Sequence, residues 1–292
     1  MDIRDFKRKN TEDIMMLENR QLADGSKVPL LVFRKLAGLP QIGHCFTTRG
    51  GGVSEGIFSS LNLSFTRGDE RCAVEENYRR LAEALGTDCS RFVFTDQTHT
   101  TNVRCVGQSD CMSPTEKRPF TDVDGLITDE PGVVLSTFFA DCVPLYFVDV
   151  KHHAIGMSHS GWRGTVGRMG QKTLLAMKEE FHTQPEDVIA AIGPSICGDC
   201  YEVSSDVAEQ FAAEFVSQEQ EILTGLGNGK YLLDLWKCNE IVLKEAGITQ
   251  EHLAVTNICT CCNPAHLFSH RASNGKRGNL GAFLYLRKEK HA

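Results

Sequence analysis

The chain has 292 residues, 41% of them hydrophobic and 24% charged, a composition typical of a globular protein long enough to bury a sizeable core. A formal net charge of -7, with no run rich in lysine and arginine, argues against general nucleic-acid binding. No stretch of about 18 apolar residues exists, which argues against a membrane span.

The segment Met1–Arg20 is charged throughout and lacks the apolar centre of a signal peptide, so the expected location is cytoplasmic. Twelve cysteines in such a chain read as reduced thiols, some of them metal ligands, rather than as a disulfide framework.

Residues 1–25 read as an N-terminal extension and 26–292 as one catalytic domain. Apolar runs predict strands at Leu30–Phe33, Phe92–Thr95, Val133–Phe139, Leu145–Val150 and Ala154–Ser158. Three more follow at Val188–Ile192, Tyr231–Leu233 and Ala282–Leu286. Apolar residues recurring every three or four positions predict helices over Cys72–Leu85, Val166–Phe181, Val207–Val216 and Leu235–Ala246. Gly86 and Gly247 are the expected stops of two of them. Several strands follow one another directly, without strict β-α-β alternation. That pattern predicts an α+β fold.

Three apolar strands end at a metal-ligand side chain beside a turn. They are Phe92 to His99, Val133 to Cys142 and Ala154 to His159. Two imidazoles and a thiolate suit zinc, and three protein ligands leave a fourth position for water or substrate. Copper(I) accepts the same donors. The alternative is that His99 and His159 cap strands and Cys142 is a small buried apolar residue.

The motifs Gln97-Thr-His99-Thr-Thr-Asn-Val, Ala140-Asp-Cys142-Val-Pro-Leu and His159-Ser-Gly-Trp-Arg-Gly-Thr resemble the signature of the YfiH-like, or laccase-domain, family. Phe46-Thr-Thr-Arg-Gly-Gly-Gly-Val-Ser54, Ser60-Leu-Asn-Leu, Ile192-Gly-Pro-Ser, Cys200-Tyr-Glu-Val and Phe268-Ser-His-Arg match in the same order. The resemblance implies a four-layer α/β/β/α sandwich with mixed sheets. It also implies a metal on His99, Cys142 and His159, and purine nucleoside phosphorylase activity. Adenosine deamination and methylthioadenosine phosphorolysis are credited to related members. The older family name, polyphenol oxidase, implies copper instead. Thr100 stands where glycine usually follows the histidine, and Lys276-Arg-Gly-Asn departs from a common TGR pattern.

Arg49, in the glycine-rich loop Thr47–Ser54, is a candidate for phosphate, because successive glycines let N–H groups converge on an anion. Arg163 could join it at a helix start near Val166, and Arg271 is a third candidate. The alternatives are a tight turn with an exposed Arg49, a core Trp162 with Arg163 paired to an acidic side chain, and a surface ion pair of Arg271. Asp141 is a candidate to orient an imidazole. Cys197-Gly-Asp-Cys200 and Cys259-Thr-Cys261-Cys262 raise a second metal site, with packed thiols as the alternative. His152-His153 reads as a solvated turn.

The leading expectation is phosphorolysis of a purine nucleoside, with the nucleoside and phosphate as partners and no nucleic acid or membrane. The chain's ten histidines include no His-x-His pair, which argues against a multicopper oxidase. A cysteine hydrolase using Cys142 with His159 as base is a third reading. A zinc-stabilised binding module is the non-enzymatic one.

Overall fold

A computed structural model describes residues 1–288 as a single mixed α+β domain. The first six-stranded sheet runs β1 (Met15–Gln21), β2 (Lys27–Phe33), β3 (Ile42–Thr47), β15 (Leu280–Leu286), β7 (Val134–Phe139), β4 (Phe92–Phe94). The second runs β14 (Leu253–Val255), β10 (Val188–Ile192), β8 (Val143–Asp149), β9 (Ala154–Ser160), β6 (Gly125–Thr128), β5 (Val103–Cys105). A small third sheet joins β11 (Glu202–Ser204), β13 (Lys230–Leu233) and β12 (Leu223–Gly227). The segment set apart as an extension contributes β1, paired antiparallel with β2 along its whole length.

The strands look continuously apolar because both faces of each large sheet are covered. In β2, Leu30 and Val32 pack beneath the Arg71–Leu85 helix, while Leu31 and Phe33 face the second sheet. In β8 the same alternation sends Tyr146 and Val148 toward the first sheet. Leu145 and Phe147 go under the Met169–Phe181 and Leu235–Glu245 helices. Each fully buried side chain of this size contributes about 1.5–3 kcal/mol. Together they fix the separation of the sheets.

The predicted strands and helices all appear, with shifts of a few residues at their ends. The span Val166–Phe181 instead divides into helices Trp162–Val166 and Met169–Phe181. Arg168 between them takes a left-handed φ of 62° and pairs with Glu214 and Glu245. Among the described residues, no helix is long and apolar enough to cross a membrane.

The chain passes between the two large sheets at two places that matter for the site. It leaves β4 of the first sheet and reaches β5 of the second through residues 95–102. It leaves β7 and enters β8 through Ala140-Asp141-Cys142. The Tyr146 hydroxyl donates to the Cys45 carbonyl at 3.0 Å, a buried polar link from the second sheet to the first. Tyr146→Phe should therefore lower unfolding free energy by about 1–2 kcal/mol in denaturant titration, with native secondary structure retained.

Candidate metal centre

Register brings the first pieces of the site together. Antiparallel pairing sets Gly125 of β6 opposite Ser158 of β9, and the His159 N–H donates to the Asp124 carbonyl at 2.8 Å. The two side chains then meet: His159 Nδ1 lies 2.7 Å from Asp124 Oδ1. Asp124 is fully buried and His159 is 3% exposed. The other carboxylate oxygen accepts the N–H groups of Thr98 and Thr100, each at 3.0 Å. Those two bonds grip the loop on either side of His99, which takes a left-handed φ of 66°. One carboxylate thus orients one imidazole directly and holds the backbone that presents the other.

Cys142 comes from the β7–β8 crossover. Asp141 before it has a φ of 93°, a conformation that L-residues rarely adopt. Its carboxylate is anchored by the Thr260 hydroxyl at 2.6 Å and the Arg271 N–H at 2.7 Å. Asp141 therefore fixes the turn that delivers Cys142. It does not orient an imidazole, as the sequence suggested; Asp124 does.

With these supports, one donor atom each from His99, Cys142 and His159 lies within 4.8 Å of the others. The His99 and His159 rings stand edge to face, 5.0 Å apart. Because Nδ1 of His159 faces Asp124, its Nε2 is the atom left for a ligand role. Gly161 closes the third side. A Cβ there would lie 3.0 Å from His99 Cδ2 and 3.1 Å from Cys142 Sγ. Its φ of -71° is ordinary, so glycine is needed here for room and not for backbone freedom.

The electrostatics are those of a thiolate–imidazolium pair. Burial would raise the Cys142 thiol, but the His159 and His99 imidazoles beside it pull it down to about 6. Burial would lower His159, yet the Cys142 sulfur and the Asp124 carboxylate hold it up at about 9. Asp124 is pushed up by burial and brought below its ordinary value by His159 and the two loop N–H groups. A thiolate, the His159 Nε2 once an incoming ion displaces its proton, and an exposed second imidazole are a donor set for zinc or copper(I).

A cavity of about 390 Å³ opens over the trio. Its wall includes Phe65, Tyr78, Phe94 and Phe138, together with Arg67, Arg118 and Arg277. Arg118 pairs with Asp96 at 3.0 Å. Among the described residues, neither Arg67 nor Arg277 has a carboxylate within 4 Å, and the Arg277 Nε is buried without a partner. Burial, helped by the charge of Arg67, brings the Arg277 guanidinium down to about 10. A larger groove of about 950 Å³ near Tyr285 and Arg287 contains neither metal-ligand cluster.

The three arginines picked from sequence lie elsewhere. Arg49 donates to the carbonyls of Ser59 and Pro264 at 2.7 and 2.8 Å and stacks over Phe268. Its loop is not an anion cradle. The N–H groups of Gly50, Gly52 and Val53 bind Thr48, Ser60 and Asn77 side chains, and a Cβ at Gly52 would lie 2.1 Å from the Ser60 carbonyl. Those glycines serve close backbone packing. Arg271 donates to the carbonyls of Cys200 and Glu202. Arg163 is exposed and stacks on Trp162. Arg271 stacks over Tyr201, and none of the three arginines lines the cavity. Burial and the negative Cys142 and Asp141 raise that phenol to about 12, against the opposing charge of Arg271 and Arg163. Asp124, Gly161, Arg67, Arg118 and Arg277 were not identified from sequence. Gly161 and Arg277 carried a signal, as parts of the His159-Ser-Gly-Trp-Arg-Gly and Lys276-Arg-Gly motifs.

Two outcomes test this geometry. Asp124→Asn puts an NH₂ where only acceptors fit, so stability should fall by on the order of 3 kcal/mol in chemical denaturation. In chelator-treated protein, alkylation of Cys142 read by peptide mass spectrometry should rise as pH passes about 6, because the thiolate accumulates above that value. His159→Ala removes the stabilising cation, so the midpoint should move upward. An unmoved midpoint would exclude the pairing.

Residues 43–287 match the profile of the family described as multi-copper polyphenol oxidoreductase laccase. The purine nucleoside phosphorylase YlmD of Geobacillus stearothermophilus is 38% identical over 245 residues, 83% of this chain and 89% of its own. The adenosine deaminase RL5, from an unknown prokaryotic organism, is 32% identical over 82% of this chain and 92% of its own length. The crystal structure of the hypothetical protein YfiH of Bacillus licheniformis superposes with a TM-score of 0.86 at 31% identity, covering 94% of this chain and all of that one. The chain therefore belongs to the multi-copper polyphenol oxidoreductase laccase family, to which it is matched over residues 43–287.

Proposed function

We propose that the chain is a metal-dependent purine nucleoside phosphorylase acting on adenosine, inosine and methylthioadenosine, with adenosine deamination as a second activity of the same site. One observation carries this: a three-donor group of two imidazoles and a thiolate borders a cavity that also holds two arginines without carboxylate partners. The relatives named for phosphorolysis and for deamination support both activities.

His99 through a ring nitrogen, Cys142 through Sγ and His159 through Nε2 would hold the ion, with zinc preferred and copper possible. When bound, such an ion supplies Lewis acidity, polarising a substrate oxygen or lowering the pKa of water. Phosphate would sit against Arg277 and Arg67, whose guanidinium groups offer planar forks and unopposed charge. The aromatic wall of Phe65, Tyr78 and Phe138 suits the face of a purine. A phosphate oxygen then bonds to C1′ as the glycosidic C1′–N9 bond breaks, giving ribose 1-phosphate and the free base, which takes up a proton at nitrogen. The arginines hold the nucleophile in line, which is worth several orders of magnitude in rate.

A multicopper mechanism is disfavoured by the ligand supply: the candidate centre contains two histidines, and the chain has no His-x-His pair. A Cys142 nucleophile with His159 as its base is the competing reading, and their charge pairing is compatible with it.

Incubation with mixed nucleosides, with and without phosphate, separates these by products. Phosphate-dependent ribose 1-phosphate is expected, with inosine formed from adenosine where deamination also runs. Arg277→Ala should raise the KM for phosphate about 10–100-fold, the loss of one charge-assisted hydrogen-bonding group. The Cys142→Ala, His159→Ala double variant should lose one equivalent of metal and its phosphorolysis together. A chelated, metal-free enzyme that keeps full activity and forms a covalent substrate adduct would instead establish the nucleophile.

A further inference from the structure

Outside the cavity and its three-donor group, the turns after β10 and β14 bring four thiols to one point. Cys197 and Cys200 close the first turn; Cys259 and Cys262 close the second. The turns are stitched together by the Thr260 N–H, which donates to the Ser195 carbonyl at 3.0 Å. All four sulfur atoms lie within 4.8 Å of one another. Cys197 and Cys259 are 3% and 0% exposed, and Cys200 and Cys262 face them from the rim.

We propose that Cys197, Cys200, Cys259 and Cys262 form a structural zinc site, separate from the His99, Cys142 and His159 group and independent of its role. Two Cys-x-x-Cys turns facing each other are a tetrathiolate ligand set. Around zinc, with bonds of ~2.3 Å, tetrahedral sulfurs sit ~3.8 Å apart. The Cys200 and Cys262 sulfurs are 3.5 Å apart, close to that spacing and far outside the ~2.05 Å of a disulfide. Cys259 Sγ accepts two backbone N–H groups, from Cys197 at 3.3 Å and Cys262 at 3.4 Å. Donors aimed at a sulfur stabilise it as thiolate, the form that ligates. Lys9, paired with Asp199 at 2.7 Å, adds a cation beside Cys197. Cys261 is outside the set. Within the run Cys259-Thr-Cys261-Cys262, the geometry selects Cys259 with Cys262.

The location gives the site a purpose. The same two turns supply the Thr260 hydroxyl that anchors Asp141 and the Cys200 carbonyl that receives Arg271, whose own N–H binds the other Asp141 oxygen. A zinc clamp here would hold the far side of the crossover that delivers Cys142.

The test uses a His99→Ala, His159→Ala variant produced in zinc-supplemented medium, so that only the second site remains. It should carry one zinc per chain, against two in the unaltered protein, and X-ray absorption should report four sulfur neighbours at ~2.3 Å. Adding Cys200→Ser and Cys262→Ser should remove that zinc and lower the melting temperature, whereas adding Cys261→Ser should leave both unchanged. The absorption spectrum reads the ligands directly even if the serine variant does not fold. A variant without zinc, a first shell dominated by nitrogen or oxygen, or a Cys200–Cys262 disulfide found by peptide mapping would overturn the proposal. Loss of metal from the three-donor site alone would sink the phosphorylase mechanism and leave this clamp standing.

Discussion

The buried carboxylate of Asp124 is the constraint on which the candidate centre depends. Its two oxygens receive three donors from two segments that are distant in sequence, the Thr98–Thr100 loop and His159. An isolated carboxylate in this position would be expelled or protonated. Three hydrogen bonds, one of them from the His159 imidazolium, keep it charged, and the charge in turn makes each bond strong. The consequence is mutual. The His99 loop tolerates a left-handed backbone because Asp124 grips both sides of it, and Asp124 tolerates burial because that loop and His159 satisfy it.

The location of this knot follows from the two-sheet architecture. A chain that passes from one sheet to the other must cross their shared edge, and crossovers there are short and conformationally strained. The segment through His99 and the Asp141–Cys142 turn are both such crossings, while His159 sits near the end of β9 beside them. The sheets are held apart by interlocking core residues, so their edge is a rigid frame. Ligand atoms on that frame keep their separation without side-chain rearrangement. Gly161 completes the arrangement by subtraction, since any side chain would occupy the space that the three donors face.

Sequence pattern located the strands that carry the site because long apolar runs with ligand residues at their ends survive in one dimension. Phe92–Phe94, Val134–Phe139 and Ala154–Ser160 all lie where the runs predicted. Short or polar strands did not announce themselves. Gly125–Thr128 has four residues, and Met15–Gln21 carries Glu18, Asn19 and Arg20 along an exposed edge. Missing β6 also hid Asp124, which is an unremarkable acid until strand register sets it against His159. The glycine-rich loop misled for a related reason. Glycine marks a place where backbone comes close to something, and sequence does not say whether that is a phosphate or another strand. At Gly52 it is the Ser60 carbonyl.

A thiolate beside an imidazolium that is itself held by a carboxylate is also the pattern of a cysteine nucleophile, so the pairing of Cys142 and His159 does not by itself choose between mechanisms. His99 does discriminate. A dyad needs one base and one orienting group, and His159 with Asp124 already provides both. A second imidazole within 4.8 Å of the same sulfur, fixed through a strained loop by the same carboxylate, has no task in that chemistry. As a third donor around an ion it would turn a pair into a site, and the missing side chain at position 161 leaves room beside the His99 ring and the Cys142 sulfur. Metal ligation would give His99 a role that nucleophilic catalysis does not, while the room left at Gly161 suits either chemistry.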